Sequence, residues 1–85
     1  MPHHKSAAKR IVTNEKARQR NIAARSRMRT AIRAVRQATT RDEAGAALRT
    51  ATAVLDRTVA RGVIKKETAN RQKARLARFA SRLSA

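Results

Sequence analysis

Residues 5–39 read KSAAKRIVTNEKARQRNIAARSRMRTAIRAVRQAT, and no Pro or Gly interrupts them. Ala, Arg, Lys, Met and Gln dominate the run, all of which lose little conformational freedom in a helix. From Met1 to Thr40 there are eleven Lys or Arg and a single acid, Glu15. The pattern predicts one basic helix over about residues 6–39, with Ser6 as its N-cap and residues 1–5 as a loose lead-in. Such a helix is roughly 50 Å long at about 1.5 Å per residue. An 85-residue chain cannot cover a helix of that length with its own side chains.

At about 100° per residue the run divides into three faces. Ala17, Asn21, Ala24, Met28, Ala31, Val35 and Ala38 alternate at three- and four-residue spacing, with Ile32 beside them, and form a seam for packing on other helices. Arg18, Arg25, Arg29, Arg33 and Arg36 make a second line with Ile11 and Ile22. Lys9, Lys16, Arg20 and Arg27 make a third on the opposite flank. Between Lys5 and Gln19 the only large apolar residues are Ile11 and Val12. The C-terminal half of the helix is therefore expected to belong to a bundle. The N-terminal half should project beyond it and gain order when an anionic partner neutralises it.

Downstream, Thr40 and Glu43 have the spacing of a capping box, and Asp42 adds an acid to the same first turn. A second helix is expected over about 41–60, with Ala44, Leu48, Ala51, Leu55 and Val59 on one face and Ala47 and Val54 beside it. Gly62 ends it as a C′ residue, with Val63 placed for the hydrophobic contact of that cap. A short turn leads to a third helix over about 66–82, whose apolar stripe is Ala69, Gln72, Leu76, Phe79, Ala80 and Leu83. Beside that stripe, Arg71, Arg75, Arg78 and Arg82 recur at helical spacing and repel one another unless an anion lies along them. The expected architecture is one all-α domain over residues 1–85: a three-helix bundle with a long, projecting, highly basic first helix.

Composition limits what such a bundle can do. Of the 35 hydrophobic residues, 19 are Ala. The remaining apolar side chains suffice for a thin core, but not for an enclosed small-molecule pocket of several hundred Å³. No Cys is present, and the only His are His3 and His4. Structural zinc wants about four protein ligands, so neither a metal nor another cofactor is expected. No apolar run approaches the ~18 residues of a membrane span, and no signal-peptide core opens the chain. Glu15, Asp42, Glu43, Asp56 and Glu67 read as helix caps and intrahelical partners, for example of Arg49 and Arg57, and not as a catalytic carboxylate pair. No Gly-rich phosphate loop exists, and no enzyme activity is expected.

The charge points to a polyanion. The chain holds 22 Lys or Arg against five Asp or Glu, a net charge of +17. Residues 41–60 are neutral, so the excess sits in the first and last segments. Arg outnumbers Lys 16 to 6, which favours bidentate contact with phosphate. With no Tyr or Trp, and with Phe79 on the core stripe, base-stacking platforms for single strands are missing. Recognition of structured RNA by backbone and shape is the leading expectation. A nucleoid-associated DNA-binding protein is the alternative, although the neutral second helix makes a poor reading helix. A membrane-active cationic helix would need large apolar residues where this one has mainly Ala.

Two clusters resemble a known family. Lys5-Ser6-Ala7-Ala8-Lys9-Arg10, Thr13-Asn14-Glu15-Lys16, Arg20-Asn21 and Ser26-Arg27-Met28-Arg29-Thr30 form the first. Gly62-Val63-Ile64-Lys65-Lys66-Glu67-Thr68-Ala69, followed by Arg71, Lys73 and Arg75-Leu76-Ala77, forms the second. In order and spacing these resemble the bacterial small-subunit ribosomal protein S-twenty family over nearly the whole chain. The resemblance implies a three-helix bundle embedded in small-subunit ribosomal RNA, an early rRNA binder that works as a monomer in the cytoplasmic ribosome. Other small-subunit proteins would touch it only peripherally, and neither a membrane nor a small-molecule substrate is implied.

Carried over position by position, the resemblance implies RNA contacts at Lys5, Ser6, Lys9, Arg10, Asn14, Lys16, Arg18, Arg20 and Asn21. It adds Ser26, Arg29 and Thr30 further along the first helix, then Lys65, Lys66, Thr68, Arg71, Lys73 and Arg75. The basic lines read from helical spacing add Arg25, Arg27, Arg33, Arg36, Arg78 and Arg82. Val12, Ala17 and Ile22 stand where family members often carry Lys or Arg, and supply no charge here.

Overall fold

The helix-forming run begins earlier than its sequence suggests. In the computed structural model, which describes residues 2–84 with side chains from residue 7 onward, α1 spans Pro2–Gln37, α2 Arg41–Ala60 and α3 Lys66–Ser81. Ser6 is thus inside α1 and not its N-cap. Proline is tolerated in a first helical turn, because its missing N–H would have no partner there and its φ already suits a helix. Among the described residues there is no strand. The fold is an all-α three-helix arrangement with a long first helix.

α1 stops at Gln37, two residues short of the expected end, because the chain around Thr39 and Thr40 is committed to the next helix. The Thr40 hydroxyl accepts the Glu43 N–H at 3.3 Å, one half of the capping box. The Glu43 carboxylate reaches one residue further back than expected: it accepts the N–H and the hydroxyl of Thr39, both at 3.2 Å. At the other end of α2, Gly62 takes φ +74°. Its N–H donates to Val59 O at 2.9 Å, and that of Val63 to Thr58 O at 3.1 Å. These two bonds are the Schellman pattern, and they turn the chain towards α3.

The core is thin. Ala31 and Val35 of α1, Ala51 and Leu55 of α2, and Ala69 and Leu76 of α3 form its buried cluster, with Met28, Ile32, Leu48, Val54 and Phe79 among the half-buried residues around it. The fully buried large side chains are Leu55, Leu76 and Val35, each stabilising the fold by about 1.5–3 kcal/mol. The alanine seam lets the helices approach closely while burying little area per contact. Thr58, buried on α2, donates its hydroxyl proton to Val54 O at 2.7 Å, so no polar atom is stranded there. α2 is also tied to the end of α3: Arg41 donates from its backbone N–H to Ser84 O at 3.0 Å, and from Nη2 to Ser81 O at 3.1 Å.

The molecule is a rod of 67 × 20 × 12 Å. Its radius of gyration, 17.6 Å, exceeds the roughly 12 Å of a compact domain of this length. Its accessible surface of 6608 Å² is roughly a third more than a compact protein of its mass exposes. The excess lies on α1, where from residue 7 to residue 23 only Ala17 is even half-buried.

Candidate nucleic-acid interface

Residues 7–23 form an arm with no helix packed against most of it. Lys9, Arg10, Asn14, Lys16, Arg18, Arg20 and Asn21 are all exposed along it. Glu15 is the arm's only acid, and it faces its own helix: Arg18 donates to it through Nη2 at 2.9 Å and Nε at 3.1 Å, and Gln19 through Nε2 at 2.9 Å. The Arg18 bonds, helped by Gln19, hold the Glu15 carboxyl below the usual carboxylate range. The pair is exposed on both sides, so Arg18 can exchange this partner for another anion at little cost. Ile11 and Val12, at 69% and 53% exposure, are apolar breaks in an otherwise basic surface. The side chains of Lys5, Ser6, His3 and His4 lie outside the described ones.

Where α1 enters the bundle, its seam turns inward and its cations stay outside. Ala24, Ala31 and Val35 are buried, while Arg25, Ser26, Arg27, Arg29, Thr30, Arg33 and Arg36 are exposed. Arg25 also donates to Val63 O at 3.3 Å, bracing α1 against the α2–α3 turn. On α3, Arg71, Arg75, Arg78 and Arg82 are exposed, as are Lys65 and Lys66 before and at its start, whereas Thr68 is half-buried. Lys73 differs from the rest: it is half-buried and forms an ion pair with Asp56 of α2. Asp56 was expected to pair within its own helix with Arg49 or Arg57. The packing of α3 instead brings Lys73 to it, and Arg57 donates its Nε to Ala53 O at 3.4 Å.

Two arginines that the sequence reading did not name as RNA contacts sit on this surface. Arg57 and Arg61 come from the segment around the neutral helix, yet they face α1 at the C-terminal end of α2. Together with Arg27, Ala24, Val54 and Thr58 they line one hollow of about 80 Å³. Arg61 also lines a second of about 540 Å³ with Arg20, Ala17, Asn21 and Val63. Counting charge by segment hid Arg57, because the acids of residues 41–60 cancel it on paper, while Arg61, in the basic last segment, lay off the Arg71–Arg82 line. Their four-residue spacing, next to the face that meets α1, was the available signal.

Among the described residues no group of three or more metal-ligating side chains occurs, and no helix is long and apolar enough to cross a membrane. The described surface is a set of cations and amide or hydroxyl groups suited to holding phosphate oxygens.

Comparison with known proteins agrees with this geometry. The family described as Ribosomal protein S20 matches residues 2–81. The chain is 47% identical over 81 residues to "Small ribosomal subunit protein bS20" of Arthrobacter sp. (strain FB24), covering 92% of this chain and 94% of the relative. It is 46% identical to the protein of the same name from Beutenbergia cavernae, covering 98% and 100%. With that of Shouchella clausii it shares 43% identity over the full length of both. A match spanning all three helices, including the arm that has no core to preserve, shows that the chain belongs to the ribosomal protein S20 family.

Proposed function

We propose that this protein is a structural constituent of the small ribosomal subunit that binds small-subunit ribosomal RNA directly. Phosphate neutralisation and shape recognition then hold the RNA in its folded form. The observation that carries the reading is the arm: a continuous helix whose cations are exposed on most sides, in a molecule whose core ends near Ala24. Lys and Arg inserted where RNA helices approach one another displace counterions and lower the repulsion that opposes RNA folding. The exposed α3 line from Arg71 to Arg82 offers a second track, so the rod can lie between RNA segments. The bundle fixes the relative position of the two tracks.

In this reading the protein acts as a monomer in the bacterial cytoplasm, within the ribosome, with RNA as its main partner. The DNA-binding alternative is less well supported. A reading helix needs a free N-terminus to enter a groove, and that of α2 is occupied by the Arg41 contacts to Ser81 and Ser84. Sedimentation of the tagged protein in a sucrose gradient tests the reading. Co-migration with the small subunit through moderate salt is expected. Absence from that peak, or tighter and more selective binding to duplex DNA than to an rRNA fragment at equal salt, would refute it.

A further inference from the structure

The two hollows between α1 and the C-terminal end of α2 adjoin one another through Arg61. Their floor is small or apolar, with Ala17 and Ala24 from α1 and Val54 and Val63 from the opposite side. Their rim carries Arg20 and Arg27 on one side, Arg57 and Arg61 on the other, with Asn21 between. No carboxylate lines either hollow. Asp56, the acid nearest in sequence, is turned away to Lys73, and Glu15 is bonded to Arg18 and Gln19. Four guanidinium groups thus surround a concave, partly apolar groove without a counter-charge.

We infer that this groove is a nucleotide-binding subsite, which takes a single unstacked nucleotide of the RNA. The inference rests on the RNA-binding reading above and adds a ligand to it. A duplex presents a convex ridge of phosphates that suits the arm and the α3 line but does not fill a hollow. A swung-out nucleotide does. Its base lies on the Ala and Val floor and against a guanidinium plane, a stacking surface that substitutes for the absent Tyr and Trp. Its phosphates meet the remaining arginines as bidentate acceptors, and Asn21 supplies a donor and an acceptor for the base edge or the 2′-hydroxyl. Arg57 and Arg61 also lie in the last turn and cap of α2, where the helix dipole favours cations. That accounts for two of the four arginines; Arg20 and Arg27, in the middle of α1, have no such reason to be there.

The test is chemical probing of a small-subunit rRNA transcript with wild-type protein, the Arg57→Gln/Arg61→Gln variant and Arg49→Gln, which removes one exposed charge from α2 outside the groove. Circular dichroism confirms that helicity is retained. Wild-type protein is expected to protect at least one unpaired nucleotide in addition to a duplex footprint. Probed at protein concentrations that saturate each complex, the double variant should expose that nucleotide again while keeping the duplex footprint, and its Kd, measured separately, should rise about tenfold or more per arginine. Arg49→Gln should leave the protection in place. A double variant with the protection pattern of Arg49→Gln, or one that weakens the whole footprint evenly, overturns the inference and leaves the RNA-binding reading standing. Wild-type protein that protects no rRNA at all overturns both.

Discussion

The arm allows a quantitative test of where the RNA lies. Lys9, Arg10, Lys16 and Arg20 are exposed and have no acidic partner among the described side chains. Replacing all four with Gln removes four charges and keeps good helix formers in place. If each cation displaces counterions from a phosphate, the slope of log affinity against log salt should fall by roughly 3 to 3.5 units. Between 50 and 200 mM salt the wild-type protein would then lose affinity by roughly 60- to 130-fold more than the variant does. Filter binding or anisotropy with an rRNA fragment across that range measures the difference. Urea melts of the free proteins supply the control, because none of the four side chains is part of the core; the variant should be no less stable, since it carries less self-repulsion. An unchanged slope with a native melt would refute the placement of phosphates along the arm.

Other predictions follow from single residues. Glu15→Gln removes the arm's only acid and frees Arg18, so rRNA affinity should rise severalfold at low salt; a fall would show that the Glu15–Arg18 pair orients the arm for binding. Because hydrogen bonds to Arg18 and Gln19 lower the Glu15 pKa, its contribution to arm helicity is present above the ordinary carboxylate range and lost as pH falls through the folded value. Helicity followed by circular dichroism should therefore be flat at neutral pH and decline only in acid. Leu55→Ala should cost about 3–5 kcal/mol, a large part of the roughly 4–13 kcal/mol expected for a chain of this size. Saturating RNA should restore much of the lost melting temperature. Gly62→Ala meets no atom within 4 Å, so its cost is the left-handed backbone alone, about 1–2 kcal/mol in a thermal melt.

The seam is legible in the sequence because helical spacing alone places Ala24, Met28, Ala31 and Val35 on one side, and all four are buried or half-buried. The α2 and α3 stripes follow the same rule, as does the left-handed Gly62. Boundaries were less legible. The start of α1 depends on what proline permits, and its end on Glu43 reaching back four residues to Thr39, which lies between the helices and serves the second instead of the first. Charge was legible as an amount and not as a direction. Asp56 and Arg57 are neighbours in the chain, yet one serves the contact with α3 and the other the groove facing α1.

The sequence by itself determined three helices, a surplus of arginine on the first and last, and too little apolar surface to cover residues 7–23. Local spacing and composition suffice for those, since they concern single helices. Only the tertiary structure decided which cations remain available. Packing α3 on α2 ties Lys73 to Asp56, whereas packing α2 on α1 brings Arg57 and Arg61 to Arg20 and Arg27. The physical reason is that electrostatic interactions act between neighbours in space, and a bundle assigns those neighbours through crossing helices whose residues lie tens of positions apart in the chain.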